Sequence, residues 1–591
     1  MIVKRDIIFD KLFLQLMVVN ILIGLVQPMN QFVDSALTGK GLGTAALQAY
    51  ALFMPIASLA IAVSCVFSIG TQISCSHQIG KGNFKEAQKL LQTSLSSAFL
   101  FSAVFTAVLF AFSEKIAVLS GASEAVSGQI KDTEEYISGY AFGIVPMFLT
   151  NILIFLLQLE GKKRLAVVCS LCVFFVNAAG DLANLYIFKG GLFGMAFATS
   201  LSNMAAFAGV LIYFLFFSSV FRFSLKGFDA DGFKRIIRNG MPSLTYYGSL
   251  VVRTAFFNHL ILTEFEGGVL AVMLVVNSFT TLVDAAIGGT GDATLLLGGI
   301  VFGEKNKNAA RQLLQISLAA GVSLLALITV LTFVFSGAIA ALFSDSAETA
   351  LISETARALK LSALCFVPDV AACVLKKYIQ SVGRSTYTSV TNVLCNVVYV
   401  CAAAYWLVKY TGSDGLYLSF TVCYVLILFT HIAYAFIIAG NGLKGKRDMF
   451  LYLPNDYDVP DENIWEASAD NADGVARASE QMQDFCKERR IDKEQRFRVA
   501  LLIEEITDNI LKHGFKENRK NVIVLRCVIR GRDITLLIKD NCSSFNPEHY
   551  YEMFRNEEDK TKNMGIRIVM GVAKNVSYTN RFNLNHLIVK L

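Results

Sequence analysis

Two sets of residues in this chain have the types and spacing to do chemistry, and they lie in opposite kinds of sequence. The first set is buried in apolar runs. Asp34 stands in the run that begins at Leu12, and Asp181 follows Asn177 by four residues, which puts the two on one helical face. Thr199 falls early in the next apolar run. An ionisable side chain in hydrocarbon is costly unless neutralised, paired or hydrated, so Asp34 and Asp181 are functional candidates. A proton would relieve such a carboxylate, and oxygen ligands from Asn or Thr could complete a sodium shell. Interhelical hydrogen bonding is the alternative reading of both acids. Farther along, Arg253, His259, Asp284, Asp292 and Asp369 also stand in apolar context. Arg253 and Asp369 are candidates to line a substrate cavity, with structural pairing the alternative for Arg253. His259 reads as an interfacial histidine, and Pro368 before Asp369 is expected to kink its helix.

The second set lies in charged sequence near the end of the chain. Glu505, Asn509 and His513 form a polar stripe beside the apolar face of Val499, Leu502, Ile503, Ile506 and Ile510. Residues on such a border can line a pocket, although the same spacing also arises on a solvated face.

The elements that must position these groups divide the chain. Of its 591 residues 54% are hydrophobic and 17% charged, but the apolar runs end near Gly440 and a charged segment follows. Twelve membrane spans are expected, near 12–34, 50–75, 92–112, 136–158, 165–188, 194–218, 240–262, 268–300, 312–334, 355–380, 387–408 and 414–440. The loops support the count. Lys4, Arg5 and Lys11, then Lys81, Lys85 and Lys89, then Lys162, Lys163 and Arg164 begin a series of basic loops that alternates with loops poor in Lys and Arg, and it ends at Lys444, Lys446 and Arg447. That alternation puts both termini in the cytoplasm. The first run is long enough to span and is expected to be retained rather than cleaved. The net charge of +6 sits in these loops and reports membrane orientation, not a nucleic-acid partner. The twelve cysteines are scattered, so no disulfide framework is expected, and Cys169 and Cys172 read as small packing residues.

The apolar region repeats itself at an offset of about 222 residues: Gly80, Asn83, Ala87 and Leu90 correspond to Gly303, Asn306, Ala310 and Leu313, and Pro146 and Gly161 to Pro368 and Gly383. Two related halves are how many secondary transporters build two access states. The expected division is a first lobe over 1–218, a connector over 219–239, a second lobe over 240–445 and a soluble domain over 446–591.

The segments QFVDSALTGKG, ALFMP, GTQISCSHQIGKGNFKEAQKL, VNAAGD, GMAFAT and GMPS, in this order over roughly residues 8–440, resemble the MATE (multidrug and toxic compound extrusion) family. The second lobe departs from the family pattern at GGTGDATLLLGGIVFGEKNK. The resemblance implies a multi-pass α-helical protein of the cell membrane with two pseudo-symmetric six-helix lobes. It also implies that Asp34, Asn177, Asp181 and Thr199 cluster in the first lobe as a proton or sodium site. The activity implied is antiport, a small organic compound leaving in exchange for H+ or Na+. A flippase for lipid-linked precursors is an alternative on the same scaffold.

The soluble segment reads as strands at FLYLP (450–454) and ENIWEAS (462–468), helices over about 472–490 and 493–513, strands at NVIVLRCVIR (521–530) and DITLLIKD (533–540), a helix over about 565–574, and a last strand at LIVKL (587–591). That is an α/β sandwich. With the order Glu505, Asn509, Asp540 and then NMGIRIVMGVAKNVSY, it resembles the histidine-kinase-like ATPase fold in its bacterial anti-sigma-factor serine kinase branch. The resemblance implies that Asn509 holds the Mg2+ that bridges ATP phosphates, that Glu505 is the general base and that Asp540 accepts from the adenine amino group, with Gly565 in the lid. Two departures stand out. Asp540-Asn541-Cys542-Ser543-Ser544 lacks both glycines of the D-x-G-x-G pattern, and Asn563 precedes Gly565 where a glycine is usual. A nucleotide-sensing domain or one that docks a regulatory protein follows from this, and a membrane-anchored serine kinase whose membrane part senses a small molecule is the alternative. ATP is not the expected fuel, because no G-x-x-x-x-G-K-[ST] occurs.

Overall fold

The computed structural model describes residues 7–123, 128–218, 221–265, 268–341, 349–439, 449–454, 457, 461–515, 521–531, 533–554, 564–581 and 584–591. Lys4, Arg5, Lys444, Lys446, Arg447 and Asn563 lie outside them. The chain forms two compact units, Met1–Leu156 with Lys163–Leu453, and Leu157–Lys162 with Pro454–Leu591.

The first unit is helical throughout, as a lipid environment requires of backbone that must satisfy its own hydrogen bonds. Helix occupies each of the twelve expected positions, but apolarity is not uniform. Among the described residues ten helices are long and apolar enough to cross a membrane, and a bent pair, Gln129–Ala141 and Ile144–Leu159, makes an eleventh across a 45° turn. The seventh position is the one that length and apolarity together leave out. Its helix, Ala230–Glu264, is 35 residues long but begins with Lys234, Arg235 and Arg238, so it is amphipathic rather than apolar.

The repeat sets the breaks as well as the helices. In the first lobe the chain is interrupted before Ile144–Leu159, and in the second before Phe366–Ser381. Pro146 and Pro368 are each the third residue of the new helix, where a missing N–H is an orphan in any case. The break expected at Pro368 therefore falls just ahead of it, at Leu364 and Cys365. Asn83 and Asn306 are paired helix starts too: the Asn83 side chain accepts from the Glu86 N–H at 3.3 Å and that of Asn306 from Ala309 at 2.9 Å.

The lobes press together at the end that carries the basic loops, through repeat-related glycines. A Cβ on Gly80 would lie 2.2 Å from the Ile300 carbonyl oxygen, and one on Gly303 would lie 2.3 Å from that of His77. Residues 77 and 300 are themselves counterparts, so the contact is reciprocal. Gly70 against Ile236 and Gly240 against Val66 bring backbones as close. Only glycine permits such an approach.

The second unit is a two-layer α/β sandwich. Its five strands, β1 (Ile464–Ala469), β2 (Ile523–Arg530), β3 (Asp533–Asp540), β4 (Asn575–Arg581) and β5 (Leu584–Lys590), pair antiparallel in the order β1-β2-β3-β5-β4. Alternate residues Ile523, Leu525, Cys527 and Ile529 of β2 and Ile534, Leu536 and Ile538 of β3 pack on Met482, Leu502, Ile503 and Val569 of the helices Ala472–Glu488, Lys493–Asn509 and Met564–Val572. Two details differ from the sequence reading. FLYLP is not a strand: Met449–Leu451 is a single 3-10 turn within the first unit. A short helix, Pro547–Phe554, was not anticipated, although Asn546 before a proline and an acidic residue is a helix start signal.

Candidate functional site

In the first lobe, Asp34 and the Asn177/Asp181 pair arrive from two helices, Ile7–Leu42 and Lys163–Ala183. All three side chains are buried, Asn177 and Asp181 completely. The Asn177 amide nitrogen donates to Asp34 Oδ1 at 2.5 Å and reaches Asp181 Oδ2 at 3.4 Å. The carboxyls are also within hydrogen-bond reach of each other. Two carboxylates cannot share one desolvated amide donor with both bare, so the cluster calls for a proton or another cation between them. The donor set has room for one. Asn177 Oδ1, Asp181 Oδ1 and Thr199 Oγ1 are buried without a hydrogen-bond partner. Thr199 does not bond to the acids but lines the same cavity as Asp34.

That cavity, about 590 Å3, lies between the lobes. Tyr50, Tyr136 and Tyr140 flank Asp34 on its wall, and they were not singled out from sequence because single tyrosines in apolar runs carry no pattern. By the neighbouring repeat anchors Asp34 corresponds to Phe257 and Asp181 to Ala403, so the acid pair belongs to one lobe only. The second lobe contributes Arg253, Asp284, Asp292, Asp369, Lys376 and Lys377 to the wall. Arg253 donates to Asn396 Oδ1 at 3.0 Å and lies over the Phe420 ring at 5.3 Å. Lys377 pairs with Asp292 at 2.7 Å. His259 is exposed on its helix.

In the second unit the stripe is assembled by two helices. Asn509 donates its amide N–H to the Glu505 carbonyl at 2.7 Å. The start of the helix Met564–Val572 packs on both: a Cβ on Gly565 would fall 2.2 Å from Glu505 Oε2 and 3.6 Å from Asn509 Nδ2. Glycine is needed there for contact rather than for an unusual φ. His513 lies in the π turn Ile510–Gly514 that ends the helix. This turn holds the Asp540 loop, since Ser543 N–H donates to the Gly514 carbonyl at 2.9 Å and a Gly514 Cβ would meet Cys542 Cβ at 3.1 Å.

Asp540 is buried at the end of β3, and its Oδ1 accepts from Asn585 Nδ2 at 2.7 Å and from the Cys542 N–H at 2.9 Å. Burial pushes its carboxyl up from the ordinary range, against these two hydrogen bonds, which lower it. Asn585 also accepts from Tyr578 and Asn580, both at 2.7 Å. Sequence reasoning missed Asn585 because its place follows from strand register: β3 and β5 pair Asp540 with Asn585.

The arrangement fits a bound nucleotide best at the phosphate end. There Glu505, Asn509 and a helix N-terminus converge on a glycine, as anion and magnesium binding requires. At the Asp540 end the glycines are replaced by a buried Cys542 and by Ser544, and the aspartate already holds two donors.

Residues 20–182 and 244–406 match the MatE family, and residues 467–591 match the histidine kinase-like ATPase domain. A Bacillus subtilis protein described as probable multidrug resistance protein YoeA is 23% identical over 347 residues, 56% of this chain and 73% of its own. The crystal structure of a MATE protein in complex with MaL6 superposes with a TM-score of 0.68 at 20% identity, over 72% of this chain and 95% of that one. A MATE family transporter of the MOP superfamily in an outward-facing conformation gives 0.67 at 19% identity, over the same shares.

Proposed function

Since the chain belongs to the MatE family, we propose that it exports small organic compounds across a bacterial cell membrane in exchange for H+ or Na+, with both termini in the cytoplasm and a cytoplasmic domain that binds nucleotide. The observation that carries this reading is the shared amide: Asn177 bridges Asp34 and Asp181 in a buried site, with three orphaned oxygens around it and the cavity on one side. A cation bound there neutralises the pair. It drives the cycle only if it binds the two access states unequally, which a site shared by two helices of one lobe permits, because rocking or bending of either helix changes the oxygen set.

The compound would occupy the cavity, whose tyrosines and Phe420 suit an aromatic or amphipathic molecule, with Arg253 and Asp369 as polar contacts from the second lobe. Export driven by an imposed proton or sodium gradient, in vesicles holding the full chain, should fall by an order of magnitude or more (roughly) in Asp34→Asn with folding intact. Unchanged export would remove Asp34 from the mechanism.

In the cytoplasmic domain, Asn509 Oδ1 would meet a magnesium ion, Gly565 and its helix the phosphates, and Asp540 the adenine amino group. When bound, ATP with Mg2+ would supply a phosphate-dependent conformational signal. Glu505, beside Gly565, is placed to accept a proton. Titration calorimetry of the full chain with ATP and magnesium, against Asn509→Ala, tests the site. Equal heat from both proteins would dismiss it and leave a protein-docking module.

A further inference from the structure

The short turn that ends the transporter unit is clasped onto the corner that locks the two lobes. The lock comes first. At the basic end, His77 of the first lobe hydrogen-bonds through Nε2 to the Ser381 carbonyl of the second at 2.6 Å. Asn239 donates to Ser74 of the first lobe at 3.1 Å, and accepts from Gln380 at 3.1 Å and Ser385 at 3.4 Å within the second. Every second-lobe partner in this set lies between residues 380 and 385. With the glycine contacts described above, these bonds hold the lobes together at the basic end, and Gln380 among them also stands on the cavity wall.

Arg384 stands in that corner. Its Nε donates to the Tyr452 carbonyl at 2.8 Å, and its guanidinium lies 5.8 Å from the Tyr434 ring with Nη1 3.3 Å from the Tyr434 hydroxyl. Tyr452 is in turn fixed on every side. It is 1% exposed, its hydroxyl donates to the His431 carbonyl at 3.1 Å, and its ring stacks on Tyr434, which stacks on Tyr387 at 3.6 Å. Its φ of +51° is one that L side chains rarely adopt, so the turn is held by these contacts rather than by its own preference. Leu453 is the last residue of the transporter unit and Pro454 the first of the soluble one.

We propose that Tyr452 and Arg384 are positioning residues for the inner gate: by holding the 380–385 corner against His77 and Asn239 they keep the basic end closed, and they give the soluble domain, which begins two residues on in sequence, a lever on the transport cycle. The lever deepens the regulatory part of the function proposed above and rests on it, whereas the clasp itself does not.

The test is amide hydrogen exchange on the full chain in lipid nanodiscs, reading segments 74–82 and 378–386, with 170–182 beside the acid pair as the internal control. Tyr452→Ala and Arg384→Ala should each speed exchange in both gate segments by roughly threefold or more, with the control unchanged. The double variant should do no more than either single one, because the Tyr452 side chain acts only by seating the backbone carbonyl to which Arg384 donates. Tyr452→Phe keeps the ring and the carbonyl, and should stay within about twofold of the parent chain. Unaltered gate exchange in both alanine variants overturns the proposal. So does additive acceleration, or an equal rise in the control segment. None of these readings depends on nucleotide or on substrate, so failure of the export or ATP assays leaves the result standing.

Discussion

At residue scale, the site in the second unit is set by what Gly565 lacks. A methyl at that position would collide with the tip of Glu505, which is flexible enough to swing aside, so Gly565→Ala should cost the fold less than about 1 kcal/mol. The displaced carboxylate would then stand where phosphate is expected, and ATP affinity should drop roughly tenfold, a change of about 1.4 kcal/mol readable by calorimetry. Asp540 gives a second prediction, in pH. Its folded carboxyl titrates above the ordinary range, so between the unfolded and folded values the native domain keeps a proton that the unfolded chain has released. Stability of the sheet should therefore decline as pH rises through that window. Asp540→Asn keeps an acceptor for Asn585 and should flatten that part of the profile, measured as exchange protection of β3 and β5 against pH.

Much of the candidate membrane cluster could be picked out residue by residue. Asp34, Asn177 and Asp181 stood out because charge in hydrocarbon is conspicuous and because a spacing of four fixes a helical face. Thr199 was expected to join them, yet it shares the cavity rather than a hydrogen bond. Asn585 was harder, because it is placed by strand register and that relation leaves no local pattern, whereas Gly565 stood in a motif whose resemblance pointed to it.

At the scale of elements, helix starts are the features best fixed by local chemistry. Asp492 caps Lys493–Asn509 by accepting from the Gln495 N–H at 2.8 Å. Asp492→Ala should destabilise the second unit by about 1 kcal/mol in denaturant titration, with no direct loss at the acid pair. The paired prolines taught the same lesson, since Pro146 and Pro368 mark helix starts after a break and not kinks within a helix. FLYLP misled for the opposite reason. Alternating apolar and aromatic residues suggest a strand, but this run has no edge to join, and Arg384 and His431 take up its polar groups as a turn. The amphipathic seventh helix likewise shows that positive loops can locate a span whose apolarity alone would not.

At the scale of the whole transporter unit, the closed end depends on backbones meeting where side chains would hold them apart. Gly80→Ala would place a methyl 2.2 Å from a carbonyl oxygen and 2.8 Å from the Gly303 Cα, neither of which can rotate away. The expected outcome is a population shifted toward opening at that end, seen as faster exchange in segments 74–82 and 297–304, with the soluble domain still folded and the acid pair still protected. The lobes are also asymmetric, because the paired carboxyls lie in one of them while the other supplies the mixed charges of the cavity wall.

The reciprocity of the Gly80 and Gly303 contact carries a further meaning. A residue that touches its own counterpart, while each faces the carbonyl of the other's neighbour three positions back, is what an isologous interface between two identical subunits looks like. The consequence is that bulk added on either side is felt by both halves: a side chain at position 80 presses on the backbone around Gly303 and one at position 303 on the backbone around Gly80, so either substitution forces the same seam.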